Sequence, residues 1–299
     1  MKIRISDTNN GKFSHQLEDH WKSLDHDVER SMYYETRFAD EADVYFFDSA
    51  DMTLEHFCKD KRKRPNKVIA RSFDIDLWHR YFNNWDFDWI DHWVFINEYM
   101  KDWALPQLDK PVLENKITVI PCGVDTNHFS LRKNDKGKKI AWIGRFWIVK
   151  MLADAIKITR EVNKRDPGWS LHILGNSYDP PYWGKYCDHL MQQQDFPVHI
   201  DDRVDDVNEW LEDKDYILTT STKECFSYVT AEGMSKGLKP VINNFWDAKS
   251  LWPEEYVYTT HSEAADIILS EYKPEKYRQY ILDNYDQKLM FKRIDSLIK

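Results

Sequence analysis

Residues 223–240, KECFSYVTAEGMSKGLKP, decide the fold: within eighteen residues they carry Glu224 and Glu232, a helix start and a helix stop. The run before them, YILTT at 216–220, reads as a short buried strand ending in hydroxyls. Residues 227–236 read as a helix with Ser227 as N-cap and Gly237 just past its C-terminal end, and Pro240 stands beyond to prevent continuation. A second apolar run, PVINN, follows at once. Strand, helix and strand in so short a span form a βαβ unit, in which ligands sit at the strand-to-helix turn. Glu224 lies in that turn and Glu232 on the helix, about 12 Å further along if every step between them were helical. Carboxylates at the positive end of a helix can grip hydroxyls of a ligand while freed backbone N–H groups face an anion, or they can merely complement the helix dipole. From this stretch alone both readings stand.

Working outward toward the C-terminus, YVYTT at 256–260 is a candidate edge strand, followed by helices at about 262–271 and 275–298. Toward the N-terminus, VHIDDRVDD at 198–206 is a strand and turn, with Asp205 or Asp206 capping a short helix over VNEWLED. WSLHILG at 169–175 and KKIAWIG at 138–144 are further strands, the latter delivering Gly144, Arg145 and Lys150 into a turn and helix start. The glycine lets the backbone approach a ligand, and the two cations can neutralise a diphosphate. A polar, lysine-rich break at 126–137 marks a linker and a domain boundary.

The N-terminal half alternates in the same way. Strands are expected at KIRIS (2–6), at 27–29, within ADVYFFDSA (42–50) and at KVIARSF (67–73), with helices over 14–23 and LEHFCKD. Between 78 and 103 lies an aromatic block in which Trp85, Trp89 and Trp93 recur every four residues, a stripe suited to core or interface if helical. Asp74 and Asp76, and again Asp86 and Asp88, form Asp-x-Asp pairs of the kind that hold a divalent metal against a diphosphate. KDKRKRPNK at 59–67 is a basic patch that reads either as a solvated surface or as a peripheral contact with an acidic membrane.

Composition bounds the rest. A chain of 299 residues suits two domains, and 42 Lys+Arg against 51 Asp+Glu leaves −9, so general nucleic-acid binding is not expected. Cys58, Cys122, Cys187 and Cys225 form no Cys-x-x-Cys pair, which fits a reducing compartment and argues against a zinc knuckle. The first residues, MKIRISDTNN, lack an apolar signal core, and no run is long enough to span a bilayer. The expected location is cytoplasmic, with peripheral membrane contact through 59–67 as an added expectation.

With strands placed, four stretches acquire a recognisable spacing. VIPCGVDTNHF, IGRFWIVK, VHIDDRVDDVNEWLEDKDYIL and ECFSYVTAEGMSKGLKPVI together cover most of 116–243. They resemble the hinge, donor-phosphate segment, nucleotide-pocket wall and Glu-x7-Glu signature of the retaining GT-B glycosyltransferases, specifically glycosyltransferase family 4. The resemblance implies two Rossmann-like doubly wound α/β domains facing across a cleft: an acceptor-side domain at 1–125, a donor-binding domain at 126–280, and a C-terminal helix, 281–299, returning to the first domain. It implies that Arg145 and Lys150 hold the donor diphosphate and that Glu224 grips the donor sugar. Glu232 would hold the ribose hydroxyls, with Gly144, Arg203 and the backbone of Cys225, Phe226, Ser227 and Tyr228 also facing the donor. On the acceptor side it implies Gly11, in a loop with fewer glycines than is usual for the family, and Asp74. Where the family often carries a His, this chain has Arg71, Ser72 and Asp74, with His79 as a possible substitute.

The implied reaction moves a hexose from a nucleotide-diphosphate sugar to a hydroxyl of a glycan, lipid-linked or other acceptor with retention, without metal or cofactor. The alternative is a non-catalytic nucleotide-sugar-binding protein or subunit.

Overall fold

Strands that are apolar on both faces must be covered on both faces, and the chain meets that demand with two parallel sheets. The computed structural model describes every residue except 10, 12, 61–63, 110, 134, 135, 177 and 180. The chain divides into two compact units, Met1–Cys122 with Lys288–Lys299, and Gly123–Gln287.

In the first unit the elements run β1 (Lys2–Asp7), α1 (His15–Ser23), β2 (Asp27–Ser31), α2 (Thr36–Glu41), β3 (Val44–Asp48), α3 (Met52–Asp60), β4 (Lys67–Ser72), α4 (Asp74–Trp78), β5 (His92–Phe95), α5 (Glu98–Ala104) and β6 (Ile117–Val119). The described strands pair in parallel in the order β2-β1-β3-β4-β5-β6. Every residue of β3 is buried, as a central parallel strand requires. One face of the sheet is covered by the C-terminal helix α13 (Gln287–Ile298), whose Met290, Ile294 and Ile298 recur every four residues and pack with Ile3, Ile5, Phe46, Ile69 and Val94. Trp21 Nε1 donates to Asp295 at 2.9 Å, and His20 stacks on Phe291. The returning C-terminal helix expected from the sequence is therefore present.

The second unit contains β7 (Lys139–Ile143), β8 (Phe146–Trp147), α6 (Leu152–Arg165), β9 (Ser170–Leu174), β10 (Tyr178–Asp179), α7 (Pro181–Gln192), β11 (Val198–Asp201), α8 (Val207–Trp210), β12 (Tyr216–Thr219), α9 (Tyr228–Ser235), β13 (Lys239–Asn243), α10 (Ala248–Leu251), β14 (Val257–Tyr258), α11 (His261–Leu269) and α12 (Pro274–Asn284). Its main sheet is ordered β11-β9-β7-β12-β13-β14, all parallel, with β14 at the edge as expected. Reading outward from β7, the chain adds β9 and β11 on one side and then returns to place β12 on the other. The order thus reverses between β7 and β12.

Two local expectations are corrected. The helix expected over 275–298 is two helices, broken at Tyr285 and Asp286. There Val124 N–H donates to the Tyr285 carbonyl at 2.8 Å, Gln287 N–H donates to the Val124 carbonyl at 2.9 Å, and Thr126 Oγ1 donates to Asp286 at 2.7 Å. The backbone groups freed by the break are satisfied by a neighbouring segment, which local helix signals do not register. The tryptophan stripe is not helical. Tyr81–Asn84 and Phe87–Trp89 are separate 3₁₀ turns and Trp93 lies on β5. Asp86 caps the second turn by accepting from Asp88 N–H at 3.2 Å, which diverts the chain from a continuous α-helix. Trp85 and Trp93 are nonetheless buried, edge to face.

Pro240 lies beyond α9 and within β13, where the PVINN run places it. Lys239 N–H points to the β12 side, donating to the Asp215 carbonyl, so Pro240 turns its missing donor toward β14, which pairs only from Ile242 onward.

Of the basic run at 59–67, residues 61–63 lie outside the described residues; Lys59 pairs with Glu55, and Arg64 pairs with Asp91 at 2.7 Å. Among the described residues no helix is long and apolar enough to cross a membrane.

Candidate active site

The strand order reverses between β7 and β12, and in open α/β sheets such a reversal point is where a crevice forms at the carboxyl ends of the strands, because the two following connections leave toward opposite faces. The loop after β7 carries Gly144, Arg145 and Lys150, and the loop after β12 carries Thr220 to Ser227.

Close backbone packing holds the first loop. Gly144 N–H donates to the Leu174 carbonyl at 3.0 Å. Gly175, at φ +146°, brings its own backbone so near that a Cβ there would lie 1.9 Å from the Gly144 oxygen. Only glycine fits that approach. The two loops are then tied to each other. Thr222 N–H donates to the Val149 carbonyl at 2.9 Å, and Thr220 Oγ1 donates to the Lys150 carbonyl at 2.6 Å while accepting from buried Trp142 Nε1 at 2.9 Å. Across this junction Lys150 Nζ meets Glu224 Oε1 at 2.5 Å, with both side chains mostly buried. Arg145, on the same loop as Lys150, is exposed and has no ion partner among the described residues.

Lys150 sits in a 3₁₀ turn (Ile148–Lys150), not on the helix itself, and α6 begins only after Met151, which adopts a left-handed backbone at φ 50°. Ser227 also departs from expectation. It occupies the N-cap position of α9 in a left-handed conformation, φ 69°, with no side-chain bond to a helix amide. Its hydroxyl instead bonds Thr230 Oγ1 at 2.8 Å, which in turn meets Thr219 Oγ1 at 2.6 Å. The first-turn amides of α9 therefore keep their donors uncapped by that side chain, at the positive end of the helix dipole.

The C-terminal end of α9 follows the sequence signal. Gly237, at φ 82°, donates to the Met234 carbonyl and Leu238 donates to Gly233, a Schellman closure.

Glu232 lies one turn along α9 from Tyr228. Its carboxylate has no ion or hydrogen-bond partner among the described residues, and burial pushes its pKa up to about 7 from an ordinary 4.5. The folded protein thus binds more protons at this group than the unfolded chain between those values, so the group's contribution to stability falls as pH rises from 4.5 through about 7. Glu232→Gln is expected to unfold several degrees above the wild type at pH 8, with the gap closing as pH falls toward 4.5; thermal melts across that range check it.

Other sequence-derived residues are placed as follows. The Phe226 ring is buried in an aromatic cluster with Trp252 and Tyr285, at centroid distances of 5.8 and 5.0 Å, so its side chain packs core and only its backbone borders the loop. Cys225 and Tyr228 are partly exposed, and the Tyr228 ring meets Phe226 edge to face at 5.1 Å. Arg203 is exposed after β11, two strands and about 10 Å laterally from β7. The structure does not bring it into the Lys150–Glu224 ion pair.

In the first unit, Gly11 (φ 81°) donates to buried Asp7 at 3.1 Å, and Asp7 also accepts from Ser14 at 2.6 Å. Asp74 opens α4. Its neighbour Asp76 is buried and accepts from Phe73 N–H and Ser49 Oγ, both at 2.8 Å, and burial pushes its carboxyl well above the ordinary range. Asp76 is an internal cap and Asp86 a turn cap. Among the described residues no group of three or more His, Cys, Asp or Glu side chains is placed to hold a metal. Arg71, at the strand end where the resembled family often carries a His, is buried in a bidentate pair with Asp48 at 2.6 and 2.8 Å. His79 is exposed at the C-terminal end of α4, beside Tyr81. Sequence reasoning missed Gly175 and the Thr219–Thr220–Thr230 hydroxyls; their signals were a glycine ending one strand and paired threonines ending another.

Residues 137–266, which contain the β7 and β12 loops and α9, match the family model described as Glycosyl transferases group 1. Among curated proteins, the chain is 24% identical over 136 residues to a GDP-mannose:cellobiosyl-diphosphopolyprenol alpha-mannosyltransferase of Xanthomonas oryzae pv. oryzae, a match covering 44% of this chain and 36% of that protein. Among solved structures, TarM aligns at TM-score 0.69 and 16% identity over 88% of this chain and 56% of its own. Anabaena Alr3699/HepE in complex with UDP aligns at TM-score 0.75 and 13% identity, over 99% and 98% of the two chains. This chain therefore spans about a third of the length of the mannosyltransferase and just over half of TarM. The fold is that of the GT-B glycosyltransferases, α/β with two parallel six-stranded sheets.

Proposed function

We propose that this chain is a glycosyltransferase that moves a hexose from a nucleotide-diphosphate sugar to a hydroxyl acceptor with retention of anomeric configuration. The observation that carries the reading is the Lys150–Glu224 pair spanning the crevice between β7 and β12, beside Arg145 and the uncapped start of α9. The match of 137–266 to a glycosyltransferase model supports it, as do the relative named as a GDP-mannose-dependent transferase and the neighbour solved with UDP.

In this reading Arg145 and Lys150 hold the donor diphosphate. One N–H of the Lys150 ammonium is spent on Glu224, leaving two for phosphate oxygens. The first-turn amides of α9, with the backbone from Cys225 to Tyr228, face the same anion. Gly144 lets the β7 loop approach the donor closely. Glu224 accepts from hydroxyls of the donor sugar. Glu232, buried without a cation, accepts from the ribose hydroxyls, and those bonds favour its ionised form. Arg203 borders the nucleotide, and Gly11 and Asp74 belong to the acceptor side.

Chemistry then follows from charge placement. The bond from the anomeric carbon to the leaving diphosphate oxygen breaks, and the acceptor oxygen bonds that carbon on the same face. The acceptor proton passes to the departing oxygen, whose negative charge Arg145 and Lys150 stabilise. The protein supplies no nucleophile in this scheme, and the acceptor is a carbohydrate or other hydroxyl compound.

The test is a thermal-shift screen across UDP-, GDP-, ADP- and TDP-sugars. One donor is expected to stabilise the wild type saturably, by about 2.7 kcal/mol at a hundred times its Kd, with transfer to a glycan acceptor detected for that donor alone. Absence of stabilisation by every donor would overturn the assignment, and saturable binding without transfer to any acceptor would leave a nucleotide-sugar-binding protein instead.

A further inference from the structure

A second polar cavity, of about 280 Å³, lies at the opposite end of the second unit, where β7, β12 and β13 begin rather than end. Arg132, Lys133, Lys136, Tyr272, Pro274 and Glu275 line it. Arg132 is only 7% exposed. Its Nη2 donates to Asp215 at 2.9 Å and to the Tyr272 hydroxyl at 2.7 Å, yet its Nε is buried with no acceptor. Asp215 accepts from Gly137 N–H at 2.8 Å and Lys139 N–H at 3.0 Å as well as from Arg132 Nη2, and makes no bond to Nε. Arg132 thus brings a buried cation, held by one carboxylate that also serves two backbone amides, into the wall that a ligand would meet.

The surroundings specify the charge of that ligand. Lys133 and Lys136 are exposed on the rim and form no ion pair among the described residues. Pro274 and Glu275 are the first residues of α12, an eleven-residue helix whose N-cap, Lys273, makes no side-chain cap bond, so its dipole end adds positive potential. Behind the cavity Lys239 is fully buried, and its amine is pushed down to about 8, chiefly by burial and next by Lys136. Glu275 is the opposing lining carboxylate not committed elsewhere, and it is exposed.

We infer that this cavity binds a phosphate group, free or carried on a larger molecule, through Lys133, Lys136 and the start of α12, with the Arg132 cation in its wall. The volume suits one or two phosphates rather than a nucleotide sugar. The site is separate from the crevice between β7 and β12 and does not depend on what that crevice binds.

Pyrophosphate is the probe, titrated calorimetrically into an Arg145→Ala/Lys150→Ala background so that the proposed donor crevice contributes no cations. Saturable binding is expected there. Adding Lys133→Ala/Lys136→Ala should weaken it at least about tenfold, and adding Glu275→Gln instead should strengthen it. Flotation with vesicles of phosphatidate in phosphatidylcholine separates the sources: recovery with the vesicles, lost in Lys133→Ala/Lys136→Ala, assigns the phosphate to a lipid headgroup, whereas pyrophosphate binding alone assigns it to a soluble compound. No saturable binding together with no flotation overturns the inference. So does equal binding by the Lys133→Ala/Lys136→Ala protein.

Discussion

Replacing Lys150 with alanine is expected to lower kcat/KM for sugar transfer by about 10²–10³-fold. The ammonium is placed to meet the diphosphate as negative charge builds on the leaving oxygen, so its loss is felt mainly in kcat. Glu224→Ala is expected to cost a similar factor for a different reason, loss of the sugar grip and of the carboxylate that positions Lys150 at 2.5 Å. Because the two side chains act as one unit, the double variant should fall little further than either single one, and a cycle of initial rates with saturating acceptor measures that coupling. The Lys150→Ala protein should keep the wild-type circular dichroism spectrum, since Thr220 and Thr222 hold the loop through backbone carbonyls that alanine retains. Near wild-type rates in both single variants would refute the proposed roles.

The largest stability effect is expected at Arg71 and Asp48, whose side chains are 1% and 0% exposed. Arg71 Nε and Nη2 bond both Asp48 oxygens, Nη2 also reaches the Phe13 carbonyl at 3.3 Å, and Nη1 contacts Met290 on α13. Burial pushes the Asp48 carboxyl up, against the opposing pull of Arg71. Asp48→Asn would leave a buried guanidinium without its counter-charge, at a cost of about 3–5 kcal/mol. Asp48→Leu/Arg71→Met, which removes both charges, should recover most of that loss. Urea unfolding followed by tryptophan fluorescence distinguishes the two, and equal destabilisation by the single and double substitutions would count against the electrostatic explanation.

Much of the architecture is legible in local sequence because its causes are local. β3 is readable from VYFFD since a strand buried on both faces must be a continuous apolar run. The end of α9 is readable from Gly237, the residue type that accepts φ 82° without strain. Local signals fail where a distant segment supplies the bonds. Val124 and Thr126 stabilise the break at Tyr285 and Asp286 from about 160 positions away, and nothing within 275–298 announces it. Ser227 has the composition of an N-cap, but Thr230 and Thr219 draw its hydroxyl aside.

The candidate site divides along the same line. Gly144, Arg145, Lys150, Glu224 and Glu232 are each conspicuous in sequence, as polar residues just after apolar strands or on the helix that follows. Their spacing also resembles a known signature. What the chain order cannot express is that Lys150 and Glu224, 74 positions apart, form an ion pair. Nor can it express that Arg71 is locked to Asp48, or that Arg132 is left with an unsatisfied Nε.

For residues 223–240, the sequence by itself determined the strand, the helix, its stop and the identity of the carboxylates, since caps and periodicity act within a turn or two of the chain. Only the tertiary structure decided that the loop after β12 lies against the loop after β7, because that contact follows from the order of strands in the sheet, which is set by packing across the whole unit.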